Sequence, residues 1–267
     1  MVVNYEYETE AFYDDVKSYK VEFIKELDDR IGICKEVIDS NCIDYKGRKI
    51  SNFKFNKDIS VFLDNMPLGL KRYYKEVLPK VRIAKDETIL NGEAFMIGCD
   101  KTVSVMVTNK PLKDIDLIAY SHEFGHIPIF LNPTGDEYYE YMEVLPMYLE
   151  YLACKKLNDN NPHELFINQR MTDLKVMAKD YIRNNREIRN NESDKDKFYK
   201  KENLEIFKYF KSIDYALQLI ECEKEDENAV HFLLAQNAYG NRSFKKIANY
   251  LDIDTRGCRK LLKEINK

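Results

Sequence analysis

The 267-residue chain has little of what builds disulfide frameworks, membrane spans or turn-rich β folds. Its six cysteines are scattered without a Cys-x-x-Cys pair, which indicates reduced thiols and a cytoplasmic protein. No apolar run reaches the roughly 18 residues of a spanning helix, and the first residues are acidic where a signal peptide would be basic. Only nine glycines and seven prolines occur, which favours long helices over a many-turned all-β fold.

The chain also lacks an excess of positive charge. Its formal net charge is -4 and its pI is near 5.8, so no overall basic field exists to hold nucleic acid, and nothing points to a membrane surface. The segment 242–267 is locally basic and has helix-turn-helix rhythm. We expect two terminal helices that close the core there; a DNA-reading module is the alternative.

Apolar periodicity predicts helices at about 8–40, 57–78, 204–222, 226–239 and 243–265. Between them, residues 80–108 contain short β-rich runs separated by turn residues, which favours a small antiparallel meander. The expected fold class is mainly α with a small antiparallel β-sheet (α+β). We divide it into an N-terminal helical region, 1–79, and a region 80–267 that carries the chemistry.

The sequence Ser-His-Glu-Phe-Gly-His at 121–126 contains His-Glu-x-x-His, in a helix that Asn109 and Pro111 are predicted to begin. On a helix, this spacing puts His122 and His126 on one face within reach of one metal ion, with Glu123 beside it as general base. Two neutral imidazoles and a carboxylate suit one Zn²⁺ per chain. The alternative interpretation is two core histidines flanking a solvated glutamate.

A third ligand is expected from the next helix, which ends near residue 157. Glu143 is our choice and Glu140 the reserve, while Glu137 fits a solvated face. Glu150 lies seven residues after Glu143, hence two turns along the same helix face, where it could orient one of the metal ligands by a hydrogen bond.

Two stretches resemble a family. VMVTNKPLKDIDLIAYSHEFGHI and MEVLPMYLEYL are similar to the strand, zinc helix and second glutamate motif of the thimet oligopeptidase and oligoendopeptidase F family, which are gluzincin zinc metallopeptidases. The resemblance implies a zincin-like fold for residues 80–267, as a short catalytic core, and it nominates Glu143 as the third ligand. The chain is shorter than the family's usual length, and Pro128 should end or kink the zinc helix.

Further site residues follow from that resemblance. A late-helix tyrosine that stabilises the oxyanion would be Tyr215 first and Tyr209 second, and His231 would hydrogen-bond the tetrahedral intermediate. The alternative for His231 is a structural role. A substrate strand is also expected, because an extended peptide can pair with a strand at the edge of the cleft. Its predicted residues are Ser104, Val105, Met106, Val107 and Thr108.

The expected function is therefore hydrolysis of oligopeptides by a zinc-activated water, with Glu123 as general base. Two rivals stay open. One is a regulatory metalloprotease that cleaves a specific repressor-type protein. The other is a non-catalytic helical binding protein with a vestigial metal site. Oligomeric state and cleavage preference do not follow from the sequence.

Overall fold

The computed structural model describes residues 23–41, 47–86, 92–97, 102–108, 113–132, 141–189, 201–255 and 257–266. These residues are mainly helical, as predicted. The helices are α1 (Phe23–Asp39), α2 (Asn52–Asp64), α3 (Leu68–Val77), α4 (Asp116–Leu131), α5 (Val144–Leu157), α6 (Pro162–Arg189), α7 (Lys201–Glu225), α8 (Glu227–Ala238), α9 (Phe244–Leu251) and α10 (Arg259–Ile265). None of the described helices is long and apolar enough to cross a membrane.

Three strands form a small sheet beside α4: β1 (Arg82–Asp86), β2 (Gly92–Ile97) and β3 (Thr102–Thr108). The strand order is β1-β3-β2, with β1 parallel and β2 antiparallel to β3. The expectation of an antiparallel meander is therefore wrong, because β3 lies between β1 and β2 and is parallel to β1. The sheet is mixed.

This topology corrects the predicted substrate strand. The expected residues Ser104, Val105, Met106, Val107 and Thr108 all lie in β3, the central strand. On one side they pair with β1 from Arg82 to Asp86, and on the other side the residues from Ser104 to Val107 pair with β2. Because the backbone groups of a central strand are already hydrogen-bonded, β3 has no open edge that a peptide could join.

The helix that carries His-Glu-x-x-His is the centre of the core. Every residue of α4 from Tyr120 to Ile129 is buried, so the helix is surrounded rather than amphipathic. It packs against α5, α2, α8, β2 and β3. Residues on both sides of position 80 thus contribute to one core.

The helix begins at Asp116, later than Asn109 and Pro111 predict; those two residues lie outside the described ranges. The Asp116 carboxylate accepts a hydrogen bond from the Lys113 N–H at 2.7 Å, and an acidic side chain is favourable in a first helical turn. The neighbouring Asp114 accepts one from the Arg48 N–H at 2.7 Å. The hydrogen bond to Arg48 thereby links the loop before α4 to the segment that precedes α2.

Of the two outcomes predicted for Pro128, an end or a kink, the structure excludes the end, since α4 continues to Leu131. A proline within a helix leaves the carbonyl four residues earlier without its N–H partner, and here that carbonyl belongs to Phe124. The buried Tyr74 hydroxyl of α3 donates to the Phe124 carbonyl at 2.8 Å. Burial, and then the neighbouring Tyr73, raises the pKa of Tyr74 well above its usual value, so the hydroxyl stays a donor.

Replacing Tyr74 by phenylalanine is expected to lower the free energy of unfolding by about 1–3 kcal/mol, because a buried carbonyl would lose its donor. Urea denaturation measures the change. Tyr250→Phe is the control, since Tyr250 is 66% exposed and its change should stay within about 0.5 kcal/mol. Equal effects of the two substitutions would show that the Tyr74 hydroxyl does not replace the missing helical bond.

The C-terminal segment forms two short helices, as its helix-turn-helix rhythm predicts. Asp252 ends α9 in the left-handed conformation, with φ of 54°. Helix α10 packs against α1 and α7, and the Leu261 N–H donates to the buried Asp214 carboxylate at 2.7 Å. This packing supports the core-closing interpretation of the basic segment over a DNA-reading one.

Candidate metal centre

Three buried side chains, two from α4 and one from the residue before α5, place one ligand atom each close together. His122 and His126 project from α4, and Glu143 lies at the residue preceding α5. The Nε2 atoms of the two histidines are 3.1 Å apart. The Glu143 Oε2 atom is 3.3 Å from Nε2 of His122 and 3.5 Å from Nε2 of His126.

Two of these three separations match a tetrahedral metal site, and the 3.1 Å between the two histidine nitrogens is slightly shorter. Zinc binds nitrogen and carboxylate oxygen at about 2.0–2.2 Å, which places neighbouring ligand atoms of a tetrahedron about 3.3–3.6 Å apart. The Glu143 Oε2 atom is buried and has no hydrogen-bond partner among the described residues. Because buried polar atoms are almost always satisfied, an ion at this point would account for it.

The protonation states of two ligands also suit a metal. Burial lowers the pKa of His126 to about 3, against the opposing charge of Glu143, so its imidazole is neutral at pH 7. Burial would raise the pKa of Glu143, but the neighbouring His122, His126 and Lys208 hold it well below its usual range. A neutral imidazole and an ionised carboxylate are the forms that bind a metal.

Glu150 lies against the other nitrogen of His122. Its Oε1 atom is 2.5 Å from Nδ1 of His122, and its side chain is fully buried. Arg170 of α6 forms an ion pair with this carboxylate and donates from Nε to Oε2 at 2.7 Å. A carboxylate at Nδ1 holds the proton there and turns the Nε2 lone pair toward Glu143.

Replacing Glu150 by glutamine is expected to weaken zinc binding by about 10–100-fold, because His122 loses the charged acceptor that fixes its tautomer and orientation. Competition with a chromophoric chelator gives the dissociation constant. Glu225→Gln removes the same charge from an exposed position at the end of α7 and should leave zinc affinity unchanged. Equal affinities of the Glu150 variant and the parent chain would contradict the role.

A glycine inside the motif brings the two ligand-bearing helices together. A Cβ atom at Gly125 would lie 2.3 Å from the Cα and 2.5 Å from the nitrogen of Pro146. The contact is with backbone, which cannot rotate away as a side-chain tip can. The close approach of α4 and α5 at Gly125 therefore depends on the missing side chain, and it sets the position of Glu143 next to the histidines.

Glu123, next to His122 in α4, is buried, as are Glu143 and Glu150. Burial lowers the pKa of the Arg170 guanidinium, and negative groups near it, Glu143 and Glu123 among them, oppose that shift. Counted at their formal charges, the three carboxylates, Arg170 and Lys208 sum to about -1 before any metal is added. A divalent cation among them would offset the remaining negative charge.

The three residues nominated by the family's late helices lie in different surroundings. Tyr215 is a core residue whose hydroxyl donates to the Phe244 carbonyl at 2.7 Å, which corrects its expected role as oxyanion donor. His231 faces Glu223 and Glu227, its Nε2 atom 3.5 Å from Glu223 Oε1, and its catalytic role stays a prediction. Tyr209 follows Lys208 in α7, and its ring centroid lies 5.5 Å from the Lys208 Nζ atom, which is 3.6 Å from Oε1 of Glu143.

Sequence reasoning missed Arg170, Lys208 and the role of Gly125. Nothing in the sequence distinguishes these two cations among the 42 lysines and arginines, since their helices meet the site only in the folded chain. For Gly125 a signal existed: an isolated glycine within a helical pattern points to close packing. The reserve ligand Glu140 and the solvated Glu137 lie outside the described residues.

No family model and no curated protein matches the chain at a significant level. Among solved structures, it is similar to one from Bacillus anthracis str. Ames that carries the provisional name oligoendopeptidase F. The two share 15% sequence identity with a TM-score of 0.56, and the alignment covers 100% of this chain and 56% of the other. The chain thus spans little more than half the length of the structure it matches. The resemblance in sequence is therefore confirmed at the level of the fold, which is that of the oligoendopeptidase F structure.

Proposed function

We propose that this chain is a zinc-dependent metallopeptidase that hydrolyses peptide bonds of oligopeptides. The observation that carries the proposal is the set of three ligand atoms, His122 Nε2, His126 Nε2 and Glu143 Oε2, at the separations of a tetrahedral zinc site. Three protein ligands leave one position for a water or substrate, the pattern of catalytic rather than structural zinc. The oligoendopeptidase F fold agrees with it.

Zinc, when bound, supplies a Lewis acid and lowers the pKa of a coordinated water to about 7. Glu123 follows His122 in α4 and is buried at the same site. We assign its carboxylate the role of general base: it accepts the proton of the attacking water and passes it to the nitrogen of the leaving amine. Burial strengthens these interactions, because little water competes for the carboxylate.

Tyr209 is the better of the two tyrosine candidates for stabilising the oxyanion. Its ring centroid lies 5.5 Å from the Lys208 Nζ atom, which itself lies 3.6 Å from Oε1 of Glu143, whereas the Tyr215 hydroxyl is committed to Phe244. A phenol that donates to the developing oxyanion typically contributes about 3 kcal/mol. Tyr209→Phe should accordingly lower kcat more than it changes KM.

Because β3 is the central strand, we propose β2 as the substrate strand instead. Within the described residues, β2 is at an end of the sheet, pairs only with β3 and packs against α4. Its open edge offers main-chain donors and acceptors to an extended peptide. N-methylation of the matching substrate amides should slow cleavage, and unchanged rates would count against pairing at β2.

A mixture of peptides of defined sequence tests the function directly. The purified chain is incubated with the mixture after chelation and again after zinc is restored, and products are identified by mass spectrometry. Cleavage that stops with chelator and returns with zinc supports the proposal. Zinc binding without any cleavage would favour the non-catalytic binding protein, while cleavage of one folded partner alone would favour the regulatory protease.

A further inference from the structure

Lys208 reaches into the metal centre from α7. Its side chain is only 9% exposed, and its Nζ atom lies 3.6 Å from Oε1 of Glu143. The ammonium also contacts the Met142 sulfur at 3.4 Å. A buried ammonium beside a metal ligand is costly unless it acts on a partner, and the partner here is the ligand itself.

The two oxygens of Glu143 have different surroundings. Oε2 faces the Nε2 atoms of His122 and His126, at 3.3 and 3.5 Å, and has no hydrogen-bond partner in the described structure. Oε1 faces Lys208 instead. A divalent ion bound through both oxygens would have to approach the ammonium, and the two positive charges repel each other.

We propose that Lys208 is a positioning residue that restricts Glu143 to binding metal through Oε2 alone. This inference rests on the proposed metal site. With one carboxylate oxygen engaged, the ion keeps a vacant position for water or substrate, which a second oxygen would otherwise fill. Lys208 also balances the charge of Glu143 in the metal-free chain, so its presence weakens metal binding while it preserves an open site.

The test uses the zinc-loaded chain and X-ray absorption spectroscopy, with zinc affinity measured beside it. The parent chain should show about four nitrogen or oxygen neighbours. Lys208→Met should gain a neighbour and a short zinc–carbon path, the signature of a carboxylate bound through both oxygens. Its zinc affinity should rise, because a repelling charge is gone. If Lys208 were purely structural, its replacement would instead lower zinc affinity and leave the coordination number unchanged.

Lys208→Arg keeps the charge and should retain the coordination of the parent. Lys211→Met removes the same charge one turn further along α7 and serves as the matched control. If Lys208→Met does not fold without metal, Lys208→Gln refolded with zinc replaces it. Four neighbours in both uncharged variants, or five in the parent chain, would overturn the inference. A parent chain that binds no zinc would instead refute the proposed function.

Discussion

Replacing Glu123 by glutamine is expected to reduce peptide hydrolysis by about 10²–10⁴-fold while zinc remains bound. Glutamine is close in size to glutamate but cannot accept a proton at neutral pH, so the variant loses the base without opening the core. Glu123 is not one of the three proposed ligands, so the variant retains the full ligand set. Initial rates on one cleaved peptide, measured at saturating zinc, give the ratio.

The same variant needs two accompanying measurements. Zinc content should equal that of the parent chain, and the thermal transition should remain cooperative at a similar temperature. Glu225→Gln, an exposed change of the same kind, should leave the rate unchanged. Turnover by the Glu123 variant within tenfold of the parent chain would remove Glu123 from the mechanism, even if the metal site itself is real.

Replacing Gly125 by alanine is expected to cost more than about 3 kcal/mol of folding free energy and to disrupt zinc binding. The added methyl group would lie 2.3 Å from the Pro146 Cα, so α4 and α5 must separate. That displacement moves Glu143 away from His122 and His126 by the same motion. In the same variant, urea denaturation should therefore show a lower free energy of unfolding and zinc titration should show weaker binding.

A matched control lies in α1. Gly32 is also a helical glycine, but a Cβ atom there would have nothing within 4 Å. Gly32→Ala should stabilise the chain by about 0.5–1 kcal/mol, because alanine loses less conformational entropy in a helix. If both alanine variants were equally stable, the close contact at Gly125 would not be what sets the distance between the two helices.

The parts of the site that could be predicted are those that depend on short spacings within one segment of the chain. The four-residue spacing of His122 and His126 and the seven-residue spacing of Glu143 and Glu150 fix which side chains share a face before any tertiary contact exists. The structure brings these four residues together. Each helix could therefore be interpreted separately, and the family resemblance supplied their pairing.

Contacts between distant segments could not be predicted in this way. Tyr215 and Tyr209 both lie in α7, and neither composition nor spacing shows which one is turned toward the core. Pro128 was expected to end or kink the helix because the Tyr74 hydroxyl, fifty residues before its acceptor Phe124, was not visible as a replacement donor. Likewise, Ser104–Thr108 has the composition of any strand, and its central place depends on the order in which strands meet.

Whether the three proposed ligands hold zinc can be measured as the zinc content of the purified chain and of three variants, determined by mass spectrometry after dialysis against limiting chelator. The proposed ligand set predicts about one zinc per chain for the parent and for Glu123→Gln, and far less for His126→Ala and Glu143→Ala. A parent chain without zinc, or a Glu143→Ala variant that keeps a full equivalent, would contradict it.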